Sequence, residues 1–227
     1  MEVYTITSNK YDHLIPNFAL FFNKYWGNDQ KVIVLAYREI KHKLPPNFEV
    51  IVIGEESKLW TNSLVTYFTN CKNGYFTILL DDYWLCSHVD QDYLSIIKSY
   101  IKRTDIDKIE LRFPDKNQLQ NYTNYNDMFL QLKQTADYRT SLQGAVWKRD
   151  YLLKYLVPNQ SAWKFEIEGG NKAKGDGAII LAPTKKIFDN SNIYLKGKIN
   201  TISIMKMKTK EDQKIISDFR RTYGDNV

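Results

Sequence analysis

The chain has 227 residues, 43% hydrophobic and 26% charged, with a formal net charge of +6, which places it among ordinary globular proteins with room for one well-buried domain. No apolar run reaches the roughly eighteen residues of a transmembrane helix, the N-terminus lacks the basic and long apolar regions of a signal peptide, and Cys71 and Cys86 show neither CxxC nor metal spacing. A cytoplasmic protein without membrane insertion is expected; its positive charge suits an anionic ligand, although the lysines are scattered rather than blocked.

Residues 3–7 read as a first strand. Residues 15–26 carry Phe18, Phe21, Phe22 and Tyr25 close to helical spacing, and Pro16 suits a first helical turn. The unbroken Val32-Ile33-Val34-Leu35 marks a buried strand over 31–37, and 48–53 is another. Residues 59–70 look helical, and 77–80 form a strand after the turn signal of Gly74. A helix follows over 93–101 on Leu94, Ile97 and Ile101, then a strand over 108–113. Strands alternating with helices predict an α/β fold: a mostly parallel, Rossmann-like central sheet flanked by helices.

The second half is less regular. Residues 115–126 are polar and read as a long loop. A short strand is expected over 141–146, a helix over 149–156 ended by Pro158, and a mobile loop over the Gly-, Lys- and Asn-rich stretch 168–178. Short strands at 178–181 and 192–195 precede a charged amphipathic helix over 210–223. There is no internal repeat or low-complexity linker, so a single domain over 1–227 is predicted. The sequence says little about oligomeric state.

The most informative stretch is Phe76-Thr77-Ile78-Leu79-Leu80-Asp81-Asp82-Tyr83-Trp84-Leu85. An apolar strand ends abruptly in two adjacent carboxylates. Ligands of open α/β sheets bind outside the carboxyl ends of their strands, and paired acids there suit a hard divalent cation, Mg²⁺ or Mn²⁺, held against substrate phosphates. The alternative is a helix N-cap after the strand, a place that also favours Asp.

Leu80-Asp81-Asp82-Tyr83-Trp84-Leu85 is followed by Asp137-Tyr138-Arg139-Thr140-Ser141-Leu142-Gln143-Gly144-Ala145-Val146-Trp147 and by Ser161-Ala162-Trp163-Lys164-Phe165-Glu166. A strand ending in Asp-Asp after three earlier strands looks like the DxD region of GT-A glycosyltransferases. The three segments in order resemble a family of small GT-A-type proteins of bacterial polysaccharide clusters and of large DNA viruses or phages, with its pattern LxDYFL, YRxSLQxAxW and SPWxFE. The resemblance covers residues 2–200. It departs at Ala162, where the pattern has Pro. There is no third Asp beside the pair, and His13, His42 and His88 all come too early to be the late His that many GT-A enzymes use on the metal.

The resemblance implies a GT-A-like domain with a nucleotide-sugar half over about 1–113, an acceptor half over about 114–205, and the C-terminal helix. It implies a UDP-sugar or related donor, Mn²⁺ or Mg²⁺ at Asp82 and Asp81, and transfer of a hexosyl or deoxyhexosyl unit to an acceptor hydroxyl. Thr5, Thr7 and Ser8 end the first strand, where such a fold meets the nucleotide, and Asp81 would share that contact; strand-end hydroxyls are equally ordinary turn formers. Glu166, next to Phe165 and Trp163, is the candidate general base, with Glu168 or a helix-start acid as alternatives. Arg139, Gln143, Trp163 and Trp84 are candidates for sugar or acceptor contact; a surface salt bridge for Arg139 and a core position for each Trp are the rival uses. Lys196 and Lys198, flanking Gly197, are candidate phosphate contacts, or lysines of a solvated turn.

The acceptor expected is a glycan. A hydroxymethylated DNA base ranks second, because the basic residues form no dense patch. A nucleotidyltransferase would want a Gly-rich basic loop after the first strand, and Ser8-Asn9-Lys10-Tyr11-Asp12-His13 has no glycine. A catalytically degenerate nucleotide-sugar-binding module is the non-enzymatic alternative.

Overall fold

Alternation along the strands decides what each face of the central sheet covers. A computed structural model describes residues 1–56, 60–103, 105–195, 198–200 and 202–224. Its strands are β1 (Val3–Ile6), β2 (Val32–Ala36), β3 (Phe48–Val52), β4 (Tyr75–Leu80), β5 (Tyr83–Leu85), β6 (Ile106–Glu110), β7 (Tyr122–Asn124), β8 (Phe129–Leu132), β9 (Ala145–Lys148), β10 (Ile179–Pro183), β11 (Asn190–Asn192), β12 (Tyr194–Leu195) and β13 (Lys198–Ile199). Nine of them form one sheet in the order β3-β2-β1-β4-β9-β6-β10-β8-β7. Seven of the nine point the same way; only β9 and β8 are reversed. The mostly parallel sheet expected from the sequence is therefore present, with β9 from the second half inserted between β4 and β6.

The helices are α1 (Ile15–Tyr25), α2 (Thr61–Asn70), α3 (Gln91–Tyr100), α4 (Arg149–Tyr155), α5 (Ala162–Lys164), α6 (Gly170–Lys172), α7 (Ile202–Lys206) and α8 (Lys210–Tyr223). Val3, Val32 and Val34 face a core shared with Phe18, Phe21 and Phe22 of α1, Leu94 and Ile97 of α3, and Ile216 and Phe219 of α8. Their neighbours Tyr4, Ile33 and Leu35 face the opposite core, with Leu64 and Phe68 of α2, Leu152 of α4, and Phe165. Period-two side chains thus give one sheet two separate apolar layers. The chain leaves β1 toward β2 on one side, and β4 lies on the other. That reversal opens a crevice at the carboxyl ends of β1 and β4.

Several local expectations are corrected. The stretch expected to be a mobile loop over 168–178 is helical in its first part only: α5 runs through a π-turn, Phe165–Gly169, into α6, and a turn and irregular chain follow over 173–178. Gly169 and Gly170 misled the reading. They are there for close packing, since a Cβ on Gly169 would meet the Thr140 hydroxyl at 3.0 Å and one on Gly170 the Tyr138 backbone at 3.2 Å. Residues 141–144 precede β9 rather than belonging to it, and the polar stretch 115–126 contains a 3₁₀ turn and β7. Among the described residues, no helix is long and apolar enough to cross a membrane.

The C-terminal helix is tied down by an ionised group rather than by apolar contact alone. Thr209 caps α8 by accepting the Asp212 amide, and the buried Asp212 carboxylate accepts from Lys24 at 2.7 Å, from Tyr25 and from Thr209. Burial alone would raise this carboxyl, but the hydrogen bonds from Lys24, Thr209 and Tyr25 together hold it below its usual value of 3.8. A depressed folded pKa gives stability that is complete above about pH 4 and lost as the pH falls further. Asp212→Asn is expected to lose about 1.5–3 kcal/mol at neutral pH in urea titrations. The gap from wild type should narrow below about pH 4; an equal gap at both pH values would exclude the charge as its source.

Candidate functional site

At the end of β4 the chain turns through Asp81 and Asp82 into β5, and both carbonyls of that turn are held. The Trp84 indole N–H donates to the Asp81 carbonyl at 3.0 Å, and the Ile193 amide donates to the Asp82 carbonyl at 2.7 Å. Trp84 is itself wedged between Phe21 of α1, stacked at 5.4 Å, and Phe219 of α8, edge-on at 5.1 Å. The two carboxylates have no ion-pair partner among the described residues, while their side chains sit in a poorly hydrated crevice. Burial, with the Asp82 charge adding to it, pushes the Asp81 carboxyl up to about 8, against an opposing hydrogen bond from Thr7. Burial pushes Asp82 up to about 6. Two half-buried acids with no basic side chain paired to them among the described residues are a site short of positive charge.

They open onto a cavity of about 480 Å³ at the sheet crevice, lined by Thr7, Ser8, Tyr11, Trp60, Leu142 and Tyr194 among others. Its walls are mainly apolar, with the acids and the Thr7 and Ser8 hydroxyls at one end, the make-up of a small-molecule site. No cluster of three or more His, Cys, Asp and Glu able to hold a metal exists among the described residues. Mg²⁺ and Mn²⁺ commonly take only one or two carboxylates, completing their shells with phosphate and water. The donor set therefore fits such an ion bound together with a phosphorylated ligand.

A second cavity of about 420 Å³ lies against the first. The segment 141–144 is the common wall: Leu142 lines the first cavity, and Ser141, Gln143 and Gly144 line the second. Glu166 lines the second cavity from the π-turn, an irregularity frequent at functional sites. Its Oε1 accepts the Leu142 amide at 2.6 Å and the Ser141 hydroxyl at 3.3 Å, and no described residue engages Oε2. The supporting frame is built from the middle motif. The Thr140 hydroxyl donates to the Phe165 carbonyl at 2.9 Å, and the fully buried Lys108 donates to the Ser141 carbonyl at 2.9 Å.

The predicted site residues fall into three groups. Asp81, Asp82, Thr7 and Ser8 meet at the first cavity, and Glu166 and Gln143 at the second. Trp163 is 66% exposed, beside the cavity-lining Ala162. Lys198 is exposed on β13, whose partner strand supplies Tyr194 to the cavity; Lys196 lies outside the described residues. Three expectations are corrected. Trp84 is fully buried and holds the acid turn, so it cannot stack on a sugar. Thr5 shares the inward face of Val3, with no exposed surface for a nucleotide. Arg139 is fully buried, donating to Asp176 at 2.9 Å and to the Lys133 and Ala178 carbonyls. Sequence reasoning missed Tyr11, Trp60 and Tyr194, which belong to no motif, and Leu142, which lies in the middle motif without being singled out; only the topology gathers them.

No family model matches the chain, and no curated protein matches it in sequence. Solved structures do match. S. aureus TarS 1-349 superposes with a TM-score of 0.53 at 12% identity over 82% of this chain, which spans 58% of that one. The mannosyltransferase PcManGT from Pyrobaculum calidifontis, in complex with GDP-Man and Mn²⁺, superposes with a TM-score of 0.52 at 11% identity, over 99% of this chain and 75% of that one. The fold is of the GT-A type. A UDP-glucose pyrophosphorylase complexed with UDP-glucose also superposes, at a TM-score of 0.50 and 9% identity, over 97% of this chain and 98% of its own. At such identities the likeness establishes the GT-A-type architecture alone.

Removing Arg139 should act on stability, not on ligand contact. Arg139→Ala strips the buried Asp176 carboxylate of its buried cation and the Lys133 and Ala178 carbonyls of one donor each, and we expect a loss of about 3–5 kcal/mol in chemical denaturation. A variant as stable as wild type would return Arg139 to the list of ligand contacts.

Proposed function

We propose that the chain is a glycosyltransferase that moves a hexosyl or deoxyhexosyl unit from a nucleoside-diphosphate sugar, with a UDP-sugar favoured, to a hydroxyl of a glycan acceptor. The observation that carries this reading is the pair of desolvated, cation-free carboxylates at the β4 end, opening onto a ligand-sized cavity at the sheet's switch point. The solved structures of like fold add weight, because TarS has been solved with UDP-GlcNAc and PcManGT with GDP-Man and Mn²⁺.

In this reading Thr7, Ser8, Tyr11 and Tyr194 receive the nucleotide, with Lys198 on β13 as a candidate phosphate contact and Lys196, which lies outside the described residues, as a second one proposed from the sequence. Asp82 and Asp81 would hold Mn²⁺ or Mg²⁺ with the diphosphate, and such an ion neutralises charge on the leaving group. Glu166 has one oxygen fixed by Leu142 and Ser141 and the other open to the second cavity. An acceptor hydroxyl there would give its proton to Oε2 as its oxygen bonds to the sugar carbon and the diphosphate departs. Transfer with inversion uses Glu166 in this way. The rival nucleotidyl transfer is disfavoured by the turn after β1, which offers no glycine for a phosphate-cradling loop.

Two measurements test the reading. UDP-, GDP-, CMP- and dTDP-sugars are screened by thermal shift with and without Mn²⁺. One nucleotide at about a hundred times its Kd should raise Tm by roughly 5–10 °C with the metal present, and Asp82→Asn should abolish the shift. No shift with any of them in folded protein would reject the donor assignment. Glu166→Gln should keep the shift yet slow transfer about 10²–10⁴-fold; wild-type transfer rates in that variant would dismiss Glu166 as the base.

A further inference from the structure

We propose that the second cavity is the acceptor subsite and takes an uncharged pyranose ring laid against Tyr138, excluding polyanionic acceptors such as DNA. This rests on the glycosyltransferase reading for its catalytic meaning. The cavity adjoins the proposed donor cavity through one wall, the segment 141–144, and Glu166, with its Oε1 alone hydrogen-bonded to described residues, lines it. An acceptor hydroxyl reaching past the edge of that segment would meet both the base and the donor.

Tyr138 is built to present its ring. It is 53% exposed at the cavity rim and has φ of +55°, a left-handed backbone that costs a non-glycine residue energy. The conformation is over-determined from both sides. Gly170 packs so closely beneath that even a Cβ would meet the Tyr138 backbone at 3.2 Å, and the next residue, Arg139, is anchored in the core. An exposed aromatic at the mouth of a polar pocket, with no hydrogen bond on its hydroxyl among the described residues, offers a sugar ring a flat apolar face and a polar tip.

The charges argue for a neutral ligand. Among the described lining residues one cation, Arg112, stands against three acids, Glu110, Asp137 and Glu166, and Arg112 already donates to Asp115 and to the Gln143 amide oxygen. Phosphate recognition needs uncommitted cations or convergent backbone N–H groups. Duplex DNA needs a basic stripe. What faces the cavity instead is Glu166 Oε2, the Gln143 and Asn121 amides and the Tyr138 hydroxyl, a mixture of donors and acceptors that matches sugar hydroxyls.

Saturation-transfer NMR tests this with methyl β-D-glucopyranoside, methyl β-D-galactopyranoside and methyl α-D-mannopyranoside, each beside its 6-phosphate. A duplex containing hydroxymethylcytosine is followed by fluorescence anisotropy. At least one neutral glycoside should bind, five-fold or more weakly in Tyr138→Ala and Tyr138→Gly, and less weakened in Tyr138→Phe, which keeps the ring and loses only the hydroxyl. Glycine suits the positive φ, so Tyr138→Gly removes the ring without adding strain. The 6-phosphates should bind no tighter, and the duplex should not bind. Absence of all three glycosides, indifference to Tyr138→Ala and Tyr138→Gly, or tighter salt-sensitive binding of phosphorylated ligands would overturn the proposal. Donor thermal shifts on the same samples separate the two readings: a lost glycoside with a retained donor shift condemns only the acceptor site.

Discussion

The structure turns on keeping two adjacent acids together in a half-buried crevice. Adjacent carboxylates at a strand end repel one another, and burial disfavours their ionised forms. A free turn would relax by swinging one side chain into solvent. Here the turn is held by both of its carbonyls, through Trp84 on one side and Ile193 on the other. Trp84 is in turn clamped between Phe21 and Phe219. The aromatic face of α1 and the C-terminal helix therefore serve the acid pair at one remove, and the Asp212 network that ties α8 to α1 belongs to the same chain of cause.

The second carboxylate is placed by a different device. Glu166 sits on a π-turn, and what fixes it is a segment without regular structure. Thr140 bonds the backbone of the π-turn, Leu142 and Ser141 bond the carboxylate, and Arg139 and Lys108 pin the same segment from beneath. Side chains that look like ligand contacts in a motif are here the frame around one. Arg139 shows the distinction: its guanidinium is wrapped by two carbonyls and a buried carboxylate, and its unpartnered Nε–H is itself buried, out of reach of a sugar.

How much of this was legible in the sequence follows from the range over which each signal acts. The strands β1, β2 and β4 and the helices α1 and α8 declare themselves through local periodicity, and the acid pair through its place at the end of an apolar run. The helical run through α5 and α6 was not legible, because Gly169 and Gly170 read as flexibility whereas they are demanded by contact with Thr140 and Tyr138, residues far away in sequence. Nor could the burial of Lys108 be read from an alternating Ile-Asp-Lys-Ile-Glu strand. Trp84 was legible as an aromatic beside the acids, but not as their support, since that role depends on α8, more than a hundred residues on.

Lys108 shows why a costly group persists in such a frame. A lysine with no exposed side-chain surface is disfavoured as an ion, and its pKa is lowered by that burial. Glu110 and Glu166 oppose the effect, and Trp147 presents a ring face 4.5 Å from the ammonium. An apolar residue of similar volume would fill the space at no desolvation cost. It could not, however, donate to the carbonyls of Arg139 and Ser141, nor set a positive charge beneath a cavity whose base is a carboxylate. The segment that separates the two cavities is thus held by an ion from below and by a carboxylate from the side. Geometry at Glu166 and charge at Lys108 are two ends of one constraint.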